Sequence, residues 1–149
     1  ARAAVALVEE VEPFDGDDPG AMVPDPTGTG GTVTARTAHM VAQARAAYPD
    51  TGWACWSPRP GTISEHPLGR ACDVTVGNRI GTRPTAAQLA YGWELTNWLK
   101  NNAAELGVEY LIWQDKIWST ARHGEGWRPY GGTGVTDQHL DHVHITMKQ

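Results

Sequence analysis

The residues best equipped for chemistry lie near the C-terminal end, in Gln138-His139-Leu140-Asp141-His142-Val143-His144-Ile145-Thr146. Three of the chain's six histidines fall inside this stretch. Val143, Ile145 and Met147 alternate with His142, His144 and Thr146, the period of two expected of a β-strand with one apolar and one polar face. His142 and His144 then project from the same side. Imidazole titrates near neutral pH and also ligates metals, so two on one face can divide a task, one holding an ion and the other moving a proton. Taken alone, a His-x-His also fits two surface histidines on a half-exposed strand. A second cluster upstream changes that balance.

That cluster is Ser64-Glu65-His66-Pro67-Leu68-Gly69-Arg70-Ala71-Cys72-Asp73-Val74-Thr75-Val76. Pro67 and Gly69 interrupt regular structure, which places His66 on a turn. From Arg70 onward the pattern is that of a strand. Ala71, Asp73 and Thr75 face one way, and Cys72, Val74 and Val76 face the core. A turn histidine, a strand carboxylate and a distant histidine make a three-ligand set of the kind catalytic zinc uses, with a fourth position open to water.

The motif Ser-x-His-x-x-Gly-x-Ala-x-Asp, here Ser64, His66, Gly69, Ala71 and Asp73, followed by His142-Val143-His144, resembles the zinc peptidases of the LAS group. That group comprises lysostaphin-type enzymes, D-alanyl-D-alanine carboxypeptidases, murein endopeptidases and the hedgehog-type domain. The resemblance spans roughly residues 50–147, and two separated motifs at matched spacing are far more specific than either alone. It implies one zinc ion held by His66, Asp73 and His144, with His142 as a catalytic histidine. His139 completes a His-x-x-His-x-His run most similar to the murein endopeptidase branch. The carboxypeptidase branch usually carries Glu three residues before its last ligand, where this chain has Asp141. The general base is therefore His142 or Asp141. In a regular strand Asp141 points away from both histidines, which favours a supporting or turn role for it. Arg59 only loosely matches an arginine of the carboxypeptidase relatives. It is either an anchor for a substrate carboxylate or oxyanion, or a surface loop residue.

Length and composition bound the alternatives. At 149 residues the chain suggests one catalytic domain over residues 33–149, preceded by an arm or linker over 1–32. A hydrophobic content of 40% against 19% charged residues predicts a globular fold. The net charge of -5 with no basic stripe argues against nucleic acid as a partner. No apolar run is long enough to span a membrane and no signal peptide is read, so the start at Ala1 suggests a processed or trimmed form. If the protein is exported, as the resemblance implies, Cys55 and Cys72 form a disulfide whose loop encloses His66 and stabilises by about 3 kcal/mol in the chain-entropy model. Two buried thiols or two metal ligands are the other readings of that pair.

The elements that must position these groups follow from pattern. Ala1–Glu10 has a possible helical period. Residues 12–32, rich in Pro and Gly, predict little regular structure. A helix capped by Thr32 or Thr34 runs to about Tyr48, and Trp53–Trp56 reads as a strand. The clearest helix covers Thr85–Leu106, ended by Gly107, with Gly92 available for close packing. Val108–Gln114 and Lys116–Ser119 form a hairpin turning at Asp115. The glycine-rich loop Thr120–Asp137 carries Trp127 and Tyr130, aromatic walls suited to a sugar-peptide substrate. The order predicts an α+β fold: a small, mainly antiparallel sheet with helices on one face and the metal site on the other.

The functional expectation is amide hydrolysis in a peptidoglycan stem or cross-link peptide by a secreted or cell-wall-associated monomer. Zinc supplies Lewis acidity, His142 handles the proton, and His139 or Arg59 assists. The rival reading is a non-catalytic zinc domain of the same fold that binds peptidoglycan or a partner. A two-metal phosphoesterase is weaker because few carboxylates are placed for it.

Overall fold

A computed structural model describes residues 11–149, so the helical reading of Ala1–Glu10 lies outside the described residues. A two-stranded antiparallel sheet comes first, β1 (Met22–Pro24) with β2 (Thr32–Thr34). It occupies the segment expected to be irregular. The turn between its strands uses Gly28 and Gly30 at positive φ, a conformation glycine adopts without steric cost.

Helix α1 (Ala35–Ala47) starts at Thr34, whose hydroxyl accepts the Thr37 N–H at 3.2 Å. Helix α2 (Ala86–Asn101) opens with a reciprocal cap between Thr85 and Gln88. It stops sixteen residues on, where the expected single helix divides. The Asn102 side chain donates to the Trp98 carbonyl at 2.8 Å, competing with the backbone ladder, and its φ of -110° leaves helical geometry. The short α3 (Ala103–Leu106) follows, and Gly107 closes it at φ 83°.

The main sheet is antiparallel throughout, in the order β3-β4-β8-β5-β6-β7. Its strands are β3 (Gly52–Ala54), β4 (Ala71–Thr75), β5 (Val108–Trp113), β6 (Lys116–Ser119), β7 (Arg128–Pro129) and β8 (Val143–Met147). β3 is shorter than expected because the N–H groups of Cys55 and Trp56 leave the ladder and bond to Thr27 and Asp25. The β5–β6 turn needs positive φ at both Gln114 and Asp115, the geometry that matches strand twist in a two-residue hairpin.

One sheet face is apolar. Cys72, Val74, Leu111, Trp113, Val143, Ile145 and Met147 are fully buried there, in one cluster with Met40, Val41 and Ala44 of α1 and Leu95 and Leu99 of α2. Gly92 allows that contact. A Cβ built on it would lie 2.6 Å from the Trp113 ring. The α+β arrangement expected from the sequence is thus the one observed, with helices covering one face and Asp73 and His144 on the other.

Candidate functional site

Register brings the two motifs together. Asp73 of β4 lies directly across from His144 of β8, and Cys72 lies across from Ile145. Because side chains alternate, the core pair fixes the polar pair on the opposite face. His66 arrives from the preceding turn. The Ser64 hydroxyl accepts the His66 N–H at 3.2 Å, and Gly69 at φ 71° reverses the chain into β4. A Cβ at Gly69 would lie 2.6 Å from the Val33 Cα, so the turn packs directly against β2. The Cys55–Cys72 disulfide ties the end of β3 to β4, one residue before Asp73.

His66, Asp73 and His144 offer ligand atoms that all lie within 4.8 Å of one another, a group that could hold a metal ion. Asp73 Oδ1 is the hub. It stands 3.4 Å from His66 Nε2, 3.3 Å from His144 Nδ1 and 3.5 Å from His142 Nε2. Arg59 Nη2 lies 3.4 Å from the other carboxylate oxygen.

The outer nitrogens explain the orientation. A carbonyl can only accept, so His66 Nδ1 carries its proton toward the Cys55 carbonyl at 2.6 Å and Nε2 faces inward with a lone pair. His142 Nδ1 meets Asp141 Oδ1 at 2.6 Å, which also turns Nε2 inward. The Thr146 hydroxyl, 2.7 Å from His144 Nε2, can accept that proton and leave Nδ1 free. Oxygen partners behind inward-facing imidazoles are what metal-binding histidines ordinarily have. Two neutral nitrogens and one anionic oxygen, each held from outside, fit a divalent cation.

Charge follows the same geometry. Burial opposes the Asp73 anion, yet in the metal-free site the His144 and His66 rings against it, when they carry a proton on the inner nitrogen, outweigh burial and hold the carboxyl well below its ordinary range. Burial likewise opposes the His66 cation, but bonding to Asp73 wins and its pKa is raised. His144 moves down because burial prevails over Asp73. His139 falls to about 4, through burial first and then the neighbouring His142 and His144.

Asp141 does not turn away. The chain reaches it in a turn before β8, so its fully buried carboxylate swings onto His142. The same carboxylate accepts from the Gly81 N–H at 2.7 Å and the Thr136 hydroxyl at 2.8 Å. Those bonds outweigh burial and keep its pKa low. Its oxygens are committed to support.

The site opens into a cleft of about 670 Å³. Arg59, Tyr130, His139 and His142 line it, together with Tyr110, Ile112 and Thr136. His139, at φ 56°, donates from Nδ1 to the Asp137 carbonyl at 2.8 Å and lies 4.5 Å from His142, ring centre to ring centre. Tyr130 meets its edge at 5.3 Å. Trp127 is not brought to the cleft: it packs edge-on against Trp93 of α2 at 5.4 Å and joins the core. Sequence gave no hint of Tyr110, which stacks on His144 at 5.6 Å. Tyr110 pairs with Thr146 and Ile112 with His144, so alternation along β5 puts Tyr110 on the polar face diagonal to His144; which strand lies beside β5 is what the local pattern does not report.

These features define a small α+β domain carrying a histidine–aspartate group able to hold a metal ion, at the base of an open cleft. The chain belongs to the family described as VldE, C-terminal domain, which it matches over residues 29–141. The matched span includes His66 and Asp73 and ends just before His142. No curated protein and no solved structure matches the chain.

Proposed function

We propose that the domain is a zinc-dependent hydrolase of amide bonds, acting on stem or cross-link peptides of peptidoglycan outside the cytoplasm. The observation that carries this reading is the placement of His142. Its Nε2 reaches the same carboxylate oxygen as the ligand nitrogens, while its Nδ1 is held by buried Asp141. An imidazole beside a metal group, backed by a carboxylate, is arranged to exchange a proton.

Zinc would be held by His66 Nε2, Asp73 and His144 Nδ1; when bound it supplies Lewis acidity, polarising a carbonyl and lowering the pKa of a water toward about 7. The chain does the rest. His142 Nε2 accepts the proton from the attacking water and returns it to the leaving amine, and Asp141 stabilises the imidazolium between those events. Arg59, its guanidinium 44% exposed beside Asp73, meets the negative charge that develops on the carbonyl oxygen or a substrate carboxylate. His139, neutral at pH 7 with Nδ1–H committed, offers Nε2 as an acceptor to a peptide N–H. Tyr130 provides the aromatic wall.

Peptidoglycan as substrate rests on the resemblance of the two motifs to the LAS group. The disulfide supports an extracytoplasmic site of action. Among the described residues no helix is long and apolar enough to cross a membrane.

The test combines metal analysis with a digest of purified peptidoglycan read by mass spectrometry. One zinc per chain and new amide-derived termini are expected. Zinc uptake with unchanged muropeptides would sink the hydrolase and leave the binding domain.

A further inference from the structure

Asp25 lies in the β1–β2 turn, outside both motifs, and is buried. A turn of this kind can be capped by a neutral side chain. A buried carboxylate instead requires several donors to offset its desolvation. Among the described residues Asp25 has four: the Thr27 N–H at 2.8 Å, the Thr27 hydroxyl at 2.7 Å, the Thr29 hydroxyl, and the Trp56 N–H at 2.9 Å. The last is the only one that reaches out of the turn. It belongs to the same peptide group as the Cys55 carbonyl that accepts the His66 Nδ1–H.

We infer that Asp25 is a positioning residue for His66, acting through the Cys55–Trp56 peptide group: the carboxylate holds the N–H end, and the carbonyl end holds the imidazole. A peptide unit is conjugated, so an anion at its N–H raises electron density at its oxygen, and hydrogen bonds in such a chain strengthen one another. The result is a stronger acceptor behind His66, a fixed Nδ1–H tautomer and a more basic Nε2. His142 receives a carboxylate directly from Asp141; His66 receives one at the far end of a peptide. Thr27 adds to the hold. Its hydroxyl accepts the Cys55 N–H at 3.1 Å, so both peptide groups flanking Cys55 are gripped from the same turn. The disulfide fixes Cys55 from the other side.

The inference rests on the reading of His66 as a metal ligand, and the experiment separates the two. Zinc affinity is measured by competition with a chromophoric chelator for the wild type, Asp25→Asn and Thr29→Val. Imidazole nitrogen NMR of the metal-free proteins reports the His66 tautomer. Asp25→Asn is expected to weaken zinc about tenfold, at the lower end for outer partners of metal histidines, and to reduce the Nδ1–H tautomer. Thr29→Val loosens the turn but keeps the carboxylate on Trp56, and leaves both readouts unchanged. Wild-type affinity and tautomer in a folded Asp25→Asn overturn the proposal, as does a Thr29→Val that loses as much as Asp25→Asn. A wild type that takes up no zinc removes the metal reading, while the tautomer comparison still decides the role of Asp25. If Asp25→Asn does not fold, hydrogen exchange in the wild type decides: a His66 Nδ1 proton protected together with the Trp56 amide supports the relay, and one exchanging like free imidazole overturns it.

Discussion

Four imidazoles of the cleft have one nitrogen fixed by a protein oxygen: His66 by Cys55, His139 by Asp137, His142 by Asp141 and His144 by Thr146. The partner sets what the other nitrogen does. In the proposed mechanism His142 moves protons and is no ligand, so His142→Ala should keep one zinc and lose roughly 100- to 10,000-fold in cleavage rate. Metal analysis beside the muropeptide digest checks this, and a variant cutting at the normal rate would refute the assignment. His139 makes a pH prediction. Its folded pKa is depressed from 6.5 to about 4, so the unfolded chain takes up a proton first as pH falls. Its contribution to stability is full above 6.5, is lost progressively between 6.5 and about 4, and changes no further below that. His139→Asn, which tolerates the positive φ, should flatten that part of the stability profile in metal-free protein. Urea midpoints across that range would expose an unchanged slope, which is the contrary result.

At the scale of elements, the site depends on how the turn of residues 64–70 packs on β2. The Thr34 N–H donates to the Gly69 carbonyl at 3.0 Å, and the missing Gly69 side chain lets the two backbones meet. Gly61 and Gly69 share a positive φ, at 77° and 71°, but nothing lies within 4 Å of a Cβ at Gly61. Gly61→Ala therefore carries the backbone penalty alone, about 1 kcal/mol. Gly69→Ala adds a collision with Val33 and should cost about 2–3 kcal/mol, with weaker zinc binding as His66 is displaced. Equal urea midpoints for the two variants would show that contact with β2 does not hold the turn.

For the whole molecule, the Cys55–Cys72 bond closes a sequence separation of 17 and joins the backbone behind His66 to the strand of Asp73. The double variant Cys55→Ala/Cys72→Ala should lose about 3 kcal/mol of stability. It should also bind zinc more weakly, because two ligand supports lose their common anchor. Calorimetry and chelator competition test the two effects separately, and full zinc affinity in a destabilised variant would confine the disulfide to stability. The first sheet belongs to the same unit. A boundary drawn at residue 33 would cut away Asp25 and β1, although Asp25 bonds to Trp56.

Periodicity and local chemistry were sufficient for much of this. The alternation in β4 and β8, a threonine cap at Thr32 or Thr34 and a hairpin turn at Asp115 are set by neighbours a few residues apart, so the sequence displays them. The two motifs likewise named the three residues whose ligand atoms gather. What the tertiary structure decided were contacts between residues far apart in the chain or displaced by irregular backbone. Trp127 went to the core because Trp93 of α2 lies beneath its loop. Tyr110 reached His144 because β5 pairs with β8, and Asp141 turned onto His142 because the strand begins one residue after that histidine. Asp25 meets Trp56 across thirty-one residues. No local pattern encodes such pairings, since they depend on where separate elements come to rest once the apolar face of the sheet is covered.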